Sequence, residues 1–315
     1  MPRLNSKRWK TREEGCTTDK LTVALFSPPL PHMAAADLGY FARLGLDIRT
    51  VQVTGSVQQM SGLLAGEYDL AYTAIDNVIA YDEKGQGESF AFAGMDHGSL
   101  SLWALPEVGA VSDLCNREIA VDAPDTGFAF VLKAILEAHG LANQQYQLVS
   151  VGGTRERFAK MQEGKVVASL MTPPFDDMAR GEGFRQLARA TDNVPGYLGV
   201  VAATTRKIAT VRTQKLVDFT DALLQGMDWV LEPSHLQSLA GIVSSAQGVS
   251  PETAERRCKN ELHPESGLIP GCVLAPESLS VVLNLRRRMS SMPPQRQAKD
   301  YIDNSFLEEA RKRRE

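Results

Sequence analysis

Apolar and polar positions along the first hundred residues fall into two rhythms. "LTVALFS" is a short apolar run stopped by "PPLP", the pattern of a buried strand, and "HMAAADLGYFARLGL" spaces its apolar residues as a helix ended by Gly45. "DIRTVQV" reads as a second strand. Gly55 and Ser56 then open a helix whose apolar face is Val57, Met60, Leu63 and Leu64, and Gly66 closes it. "DLAYTA", "IDNVIAYDEKGQ" and "SFAFAGM" continue as strand, helix and strand, which predicts a parallel sheet covered by helices on both faces. The rhythm restarts near "LSLWAL" and "REIAVDAP". There "TGFAFVLKAILEAHGL" is a long helix capped by Thr126 and ended by Gly140, and "QYQLVSV" is the strand after it. Helix "TRERFAKMQEG", strand "VVASLMT" and helix "PPFDDMAR" follow, with Pro173 and Pro174 where a first helical turn tolerates proline. Beyond "YLGVVAATTRKIAT" the pattern becomes helical: "TQKLVDFTDALLQGMDWVLE", "PSHLQSLAGIVSSAQ", "SPETAERRCKNEL" and "PESLSVVLNLRRRM".

Two of these segments repeat each other. "VTGSVQQMSGLLAG" begins at Val53 and "VGGTRERFAKMQEG" begins at Val151, and without a gap they share Val, Gly, a hydroxyl residue, and Gly at the end. Each is followed by a strand, a threonine (Thr73 or Thr172), a polar loop and a helix. The recurrence predicts two lobes, each presenting a capped helix, Ser56 and Thr154 being the caps, to a shared cleft.

Length and charge narrow the picture. At 315 residues the chain exceeds the roughly 250–300 at which single cores stop growing, which agrees with two lobes. We expect residues 1–19 as a polar tail, 20–102 with 202–315 as one lobe, and 103–201 as the other, joined by two connecting strands that act as a hinge. A net charge of -4 offers no footprint for nucleic acid. The basic clusters at Lys7–Arg12, Arg286–Arg288 and Arg311–Arg314 read as solvated faces. No apolar run approaches the about 18 residues of a membrane span. The basic N-terminus has no apolar segment behind it, so the sequence as it stands carries no signal peptide. The cysteines Cys16, Cys115, Cys258 and Cys272 lack metal-binding spacing, and only Cys258 and Cys272 are near enough in sequence to suggest a disulfide. No GxSxG, HExxH, P-loop or GxGxxG motif is present, which favours binding over catalysis.

The segment "AADLGYFARLGLDIRTVQVTGSVQQMSGLLAGEYDLAYTAIDNVIAYDEKG" resembles the type 2 periplasmic-binding-protein fold, and within it the substrate-binding proteins for sulfonates, taurine, nitrate and thiamine-pyrimidine precursors, including the NMT1/THI5-like proteins. A helix ending in Gly-Leu, a Gly-Ser helix start, and a Gly-x-x-Asp-apolar-Ala strand carry the likeness. "IAVDAPDTGFAFVLKAILEAHGL" is similar to the start of the second lobe in that family. The likeness extends over about residues 20–230. The chain lacks the "CCCFC" run of the fungal pyrimidine synthases, so their iron-dependent chemistry is not expected.

The resemblance implies a solute-binding protein of an ABC-type uptake system: a monomer that does not span the membrane, holds no cofactor or metal, and partners a transporter permease. The ligand would be a small organic anion or flat heterocycle. The alternative is a cytosolic enzyme on the same fold, such as a decarboxylase of an aromatic acid. Location separates the two: periplasmic if an export signal precedes this sequence, cytoplasmic if it is complete as given.

In open α/β sheets ligands sit at the carboxyl ends of strands, near helix N-termini. The residues expected there are Ser27, His32, Gly55, Ser56, Thr73, Asp76, Asn77, His97, Thr126, Phe128, Thr154, Arg155, Thr172 and Phe175. Arg155 would supply a planar cationic fork to an anion, or else pair with Glu156 or Glu163. Phe128 and Phe175 would stack on a flat ligand or simply pack in the core. For an enzyme, His32 and His97 would be the proton-transfer groups.

Overall fold

The computed structural model describes residues 19–85, 87–264 and 267–315. The polar tail before residue 19, with Lys7–Arg12 and Cys16, lies outside them.

The chain begins with β1 (Asp19–Leu25), α1 (Leu30–Asp37), α2 (Tyr40–Arg43), β2 (Leu46–Gln52), α3 (Ser56–Ala65), β3 (Leu70–Ala74), α4 (Ile75–Lys84) and β4 (Ser89–Gly94). A second series follows: β5 (Ser101–Ala104), β6 (Glu118–Val121), α5 (Gly127–Ala138), β7 (Gln147–Ser150), α6 (Thr154–Gln162), β8 (Ala168–Met171), α7 (Phe175–Gly181), β9 (Arg185–Arg189) and α8 (Ala190–Asn193). The last third holds β10 (Val200–Thr205), α9 (Arg206–Val211), α10 (Thr213–Leu231), α11 (Leu236–Gln247), α12 (Pro251–Glu261), α13 (Ser280–Met289) and α14 (Ser305–Lys312).

These strands form two five-stranded sheets, ordered β2-β1-β3-β10-β4 and β7-β6-β8-β5-β9. The two orders are equivalent. In each, three neighbouring strands run parallel, and the fourth place is taken by an antiparallel strand, β10 in the first sheet and β5 in the second. Each of those strands lies beside a point where the chain passes between sheets, at residues 95–100 and 190–199. This is the two-lobed type 2 periplasmic-binding-protein fold, α/β with a helical C-terminal part.

The repeated segments occupy matching places as α3 and α6. Both helices are followed by a glycine in the left-handed region, Gly66 at φ 78° and Gly164 at φ 66°, where a side chain would be strained. Their N-termini correct the expected caps. Gly55 and Gly153 are the extended N-cap residues, so Ser56 and Thr154 fall on the first helical turn and neither hydroxyl caps the helix. Thr126 does precede α5, but its hydroxyl donates to the Ala123 carbonyl at 2.9 Å rather than to the helix. The apolar run from His32 to Leu46 is broken as well: Gly39, at φ 74°, divides it into α1 and α2.

The first sheet packs on α1 and the long α10 through Leu30, Phe41, Phe219 and Leu223. A second core spans both sheets, joining Ile75, Val78 and Val201 to Phe130, Leu170 and Leu283. α13 therefore packs against α4 and against α5 of the other half. Arg286 of α13 departs from the solvated face expected of its cluster: it is buried, with Nε 3.1 Å from Asp76 Oδ1 and its guanidinium over the Phe130 ring. Cys115, Cys258 and Cys272 are free thiols, and burial pushes the last two up to about 12. Among the described residues no helix is long and apolar enough to cross a membrane.

Candidate functional site

The carboxyl ends of β1, β3, β6, β7 and β8 converge on a cavity of about 140 Å³ between the sheets. The first half contributes Phe26 to Pro29 after β1, Ser56 at the start of α3, Thr73 in β3 and Asn77 in α4. The second contributes Asp122 after β6, Thr126 to Phe128 at the start of α5, Thr154 on α6 and Thr172 after β8. The crossing residues Asp96 and Leu100 close one side, and Arg257 and Glu261 of α12 close another.

Contacts bridge the two walls at several points. The Ser56 hydroxyl donates to Asp122 Oδ2, and the Gly153 amide donates to the Thr54 carbonyl at 2.9 Å. Arg256 of α12 pairs with Asp177 of α7, whose carboxylate is buried. Asp76 lies beneath the start of α5, so close that a Cβ on Gly127 would fall 2.3 Å from its own Cβ.

Eight of the fourteen expected residues line the cavity: Ser27, Ser56, Thr73, Asn77, Thr126, Phe128, Thr154 and Thr172. The hydroxyls form part of a local network. Asn77 donates to Thr73 Oγ1 at 3.0 Å, and Thr154 and Thr172 share a hydrogen bond of 3.2 Å.

The other six lie elsewhere. Helix α1 starts directly after Pro29, so His32 turns inward instead of reaching the strand end. It packs against Phe41 and Phe219, shares a hydrogen bond of 3.2 Å with the Tyr72 hydroxyl, and burial pulls its pKa down to about 4. His97 stands behind Asp96, with its amide on the Gly267 carbonyl, and partial burial lowers its pKa. No imidazole lines the cavity among the described residues. Asp76 is buried against Arg286, and desolvation, opposed by that arginine, raises its pKa to about 6. Gly55 faces Asp122 but is not part of the lining. Arg155 is exposed and lies over the Phe175 ring, 5.4 Å from its centroid, while Glu163 pairs instead with Lys160 and Lys165. Phe175 packs on Phe158 in the core of the second half.

The charged groups of the cavity are ones the strand-end argument passed over. Arg157, on the inner face of α6, is 3% exposed. Its Nη1 donates to Ser169 Oγ at 3.0 Å and to the Leu170 carbonyl at 2.8 Å, its Nη2 to Thr154 Oγ1 at 2.9 Å, and its Nε has no hydrogen-bond partner. Burial draws its pKa down to about 10, so it stays cationic at neutral pH. Arg257 is equally buried. Its Nε donates to Glu261 Oε1 at 2.6 Å and its Nη2 to the Pro28 carbonyl at 3.3 Å, and its Nη1 is unpartnered. Asp96 accepts from the amides of Gly98, at 2.7 Å, and Val200, at 3.2 Å, yet burial still raises it to about 6. The signals that would have found the arginines were indirect. Arg157 stands one place before Phe158 and four before Met161 on an inward face, and Arg257 and Glu261 form an i, i+4 pair beside Cys258.

A cleft between two equivalent α/β lobes, with buried cationic donors on its walls, defines the fold: the two-lobed type 2 periplasmic-binding-protein fold. Residues 29–235 match the family model described as NMT1/THI5 like, and the chain belongs to that family. Among solved structures it is similar to the periplasmic nitrate-binding protein NrtA from Synechocystis PCC 6803, at 11% identity and a TM-score of 0.81, covering 95% of this chain and 90% of that one. The alkanesulfonate-binding protein SsuA from Xanthomonas axonopodis pv. citri, bound to MOPS, matches at 16% identity and a TM-score of 0.71, covering 92% and 99%. The desulfurization enzyme DSZB matches at 14% identity and a TM-score of 0.66, covering 94% and 100%. No curated protein sequence matches the chain.

Proposed function

We propose that this chain is the solute-binding component of an ABC-type uptake system, and that it buries a small organic anion or flat heterocycle of roughly 100–300 Da between its lobes. The lobes comprise residues 20–102 with 202–315, and 103–201. They close about the two crossings as monomers do that deliver ligand to a permease outside the cytoplasmic membrane, in the periplasm. The observation that carries this reading is Arg157. It is a guanidinium buried in the cavity wall, bonded only to hydroxyls and a carbonyl, with Nε still to satisfy. Leaving a buried charged donor unmatched costs several kcal/mol, and an anion in the cleft relieves it. Phe26 and Phe128 supply apolar surface for the ligand body.

The test is a thermal-shift screen against sulfonates, aromatic carboxylates and pyrimidines, followed by mass spectrometry of the ligand after long incubation. Stabilisation by one of these classes, with the ligand recovered intact, supports the reading. Stabilisation by nucleotides or sugars alone contradicts it, as does turnover of the ligand.

A further inference from the structure

We infer that Arg256 and Asp177 form a latch that holds the two walls of the cleft together from outside the cavity, and that the pair acts whether or not the cleft is filled. This rests on the proposed closure of the lobes and names what governs it. Neither residue lines the cavity. Arg256 stands on α12, whose Ala254 and Cys258 are buried in the core of the first half. Asp177 stands on α7, whose Phe175 and Ala179 are buried in the core of the second. The first turn of α7 faces α12, where the charges of Glu261 and Arg257 both act on Asp176. The ion pair therefore links one body to the other.

The halves are joined in two different ways. An apolar core runs through both sheets, from Ile75 and Val201 to Phe130 and Leu170, and parting it would expose that surface to water. Across the cleft the contacts are polar: the Gly153 amide on the Thr54 carbonyl, the Ser56 hydroxyl on Asp122, and Arg256 on Asp177. In the first two the donor is neutral; the third is an ion pair. The Asp177 side chain is 1% exposed, its Oδ1 accepts from Arg256 Nε, and its Oδ2 has no hydrogen-bond partner. Arg256 is held in place by Thr253 of its own helix, whose hydroxyl accepts from Nη2 at 3.4 Å. Without that guanidinium the closed cleft would contain an unmatched buried carboxylate, a penalty that the neutral donors of the other two contacts do not offset. Drawing α7 away from α12 lets water reach Asp177 and removes the penalty, so losing the arginine favours opening. Because the closed form is the one that surrounds a ligand, the latch lowers the cost of closure on binding and slows entry.

The Gly153 amide reports closure directly, because its acceptor, Thr54, belongs to the other half; the Val151 amide, bonded to Val121 within the second half, is the control. Hydrogen exchange of the full chain, with no ligand added, is followed by NMR at one fixed pH. Gly153 should be protected in the wild type. Arg256→Ala, at a side chain that is 42% exposed and outside the core, should speed exchange at Gly153. The increase should be at least about tenfold, with Val151 held within about twofold. Adding Asp177→Asn removes the stranded charge and should return Gly153 to within about threefold of the wild type. An unprotected Gly153 in the wild type overturns the latch. So does Arg256→Ala if it leaves Gly153 unchanged or speeds both amides alike, and so does a double variant as fast as the single one. None of these outcomes touches the solute-binding role, which the thermal screen decides separately.

Discussion

The two halves of the cleft are built on one plan, and position 59 of the first corresponds to position 157 of the second, each the fourth residue of its helix. Gln59 is fully buried and donates through Nε2 to the carbonyls of Ala24, at 3.1 Å, and Tyr72, at 2.9 Å, tying α3 to β1 and β3. Arg157 makes the equivalent tie from α6 to β8 through Nη1 on the Leu170 carbonyl. The structural task is the same, and a neutral amide suffices for it in the first half. The arginine performs it and still lines the cavity with a spare N–H and a full charge. Its charge is thus an addition to the scaffold and belongs to the ligand side of the wall. In the first wall the matching residue is neutral and, like His32, faces the core, and the charge on that side comes from Arg257 and Glu261 of α12.

Making the second wall like the first is the strongest test of that distinction. Arg157→Gln should retain the tie to β8 and the fold, but weaken the tightest ligand of the thermal screen by about 2–5 kcal/mol. Calorimetry would read this as a loss of at least about 30-fold in Kd, and an unchanged Kd would dissolve the distinction.

Acid titration probes the inward-facing polarity of the first wall. His32 is neutral when buried: the unfolded chain takes up its proton below about 6.5, the folded chain only near 4. The contribution of His32 to stability is therefore complete above pH about 6.5 and falls by about 3 kcal/mol as pH drops toward 4. Asp76 and Asp96, raised to about 6, work in the opposite sense, since the folded chain protonates them first and their contribution declines as pH rises through 6. Urea unfolding of the wild type and His32→Gln at pH 7 and 4 separates these effects. The wild type should lose about 3 kcal/mol more than the variant between the two pH values.

Gln59→Ala removes the donor that Nε2 gives the carbonyls of Ala24 and Tyr72 and should cost about 1–2 kcal/mol in stability, with ligand affinity changed less than about threefold; a large affinity loss would mean the walls are not divided in this way. Ser56→Ala removes the hydroxyl bonded to Asp122 and should lower affinity by about 1 kcal/mol with little change in melting temperature.

Much of this was legible in the chain. The 2-then-3.6 periodicity fixes alternating strands and helices, and the shared Gly at the end of each repeat marks a left-handed helix stop at Gly66 and Gly164. Hydroxyls beside strand ends, such as Thr73 and Thr172, reach the cavity because strand register places them at its edge. What escaped depended on which way a helix was turned. Ser56 and Thr154 looked like caps because the one-residue difference between cap and first turn is set by the extended backbone of Gly55 and Gly153. His32, expected at the strand end, is carried inward because α1 begins at Leu30. Arg257 and Glu261 reach the site only through the tertiary placement of α12, which no local pattern encodes.

The fourth strand of each sheet also imposes an order of assembly during synthesis. Every strand of the second sheet lies between Ser101 and Arg189, so that sheet can complete itself as soon as its own segment has emerged from the ribosome. The first cannot: β4 is made by residue 94, but the strand separating it from β3 ends at Thr205. At about 5–20 residues per second, β4 waits several seconds or more with no edge to join. The half that is translated later has all of its strands first, while its core still awaits α13, and the earlier sheet closes around β10 last.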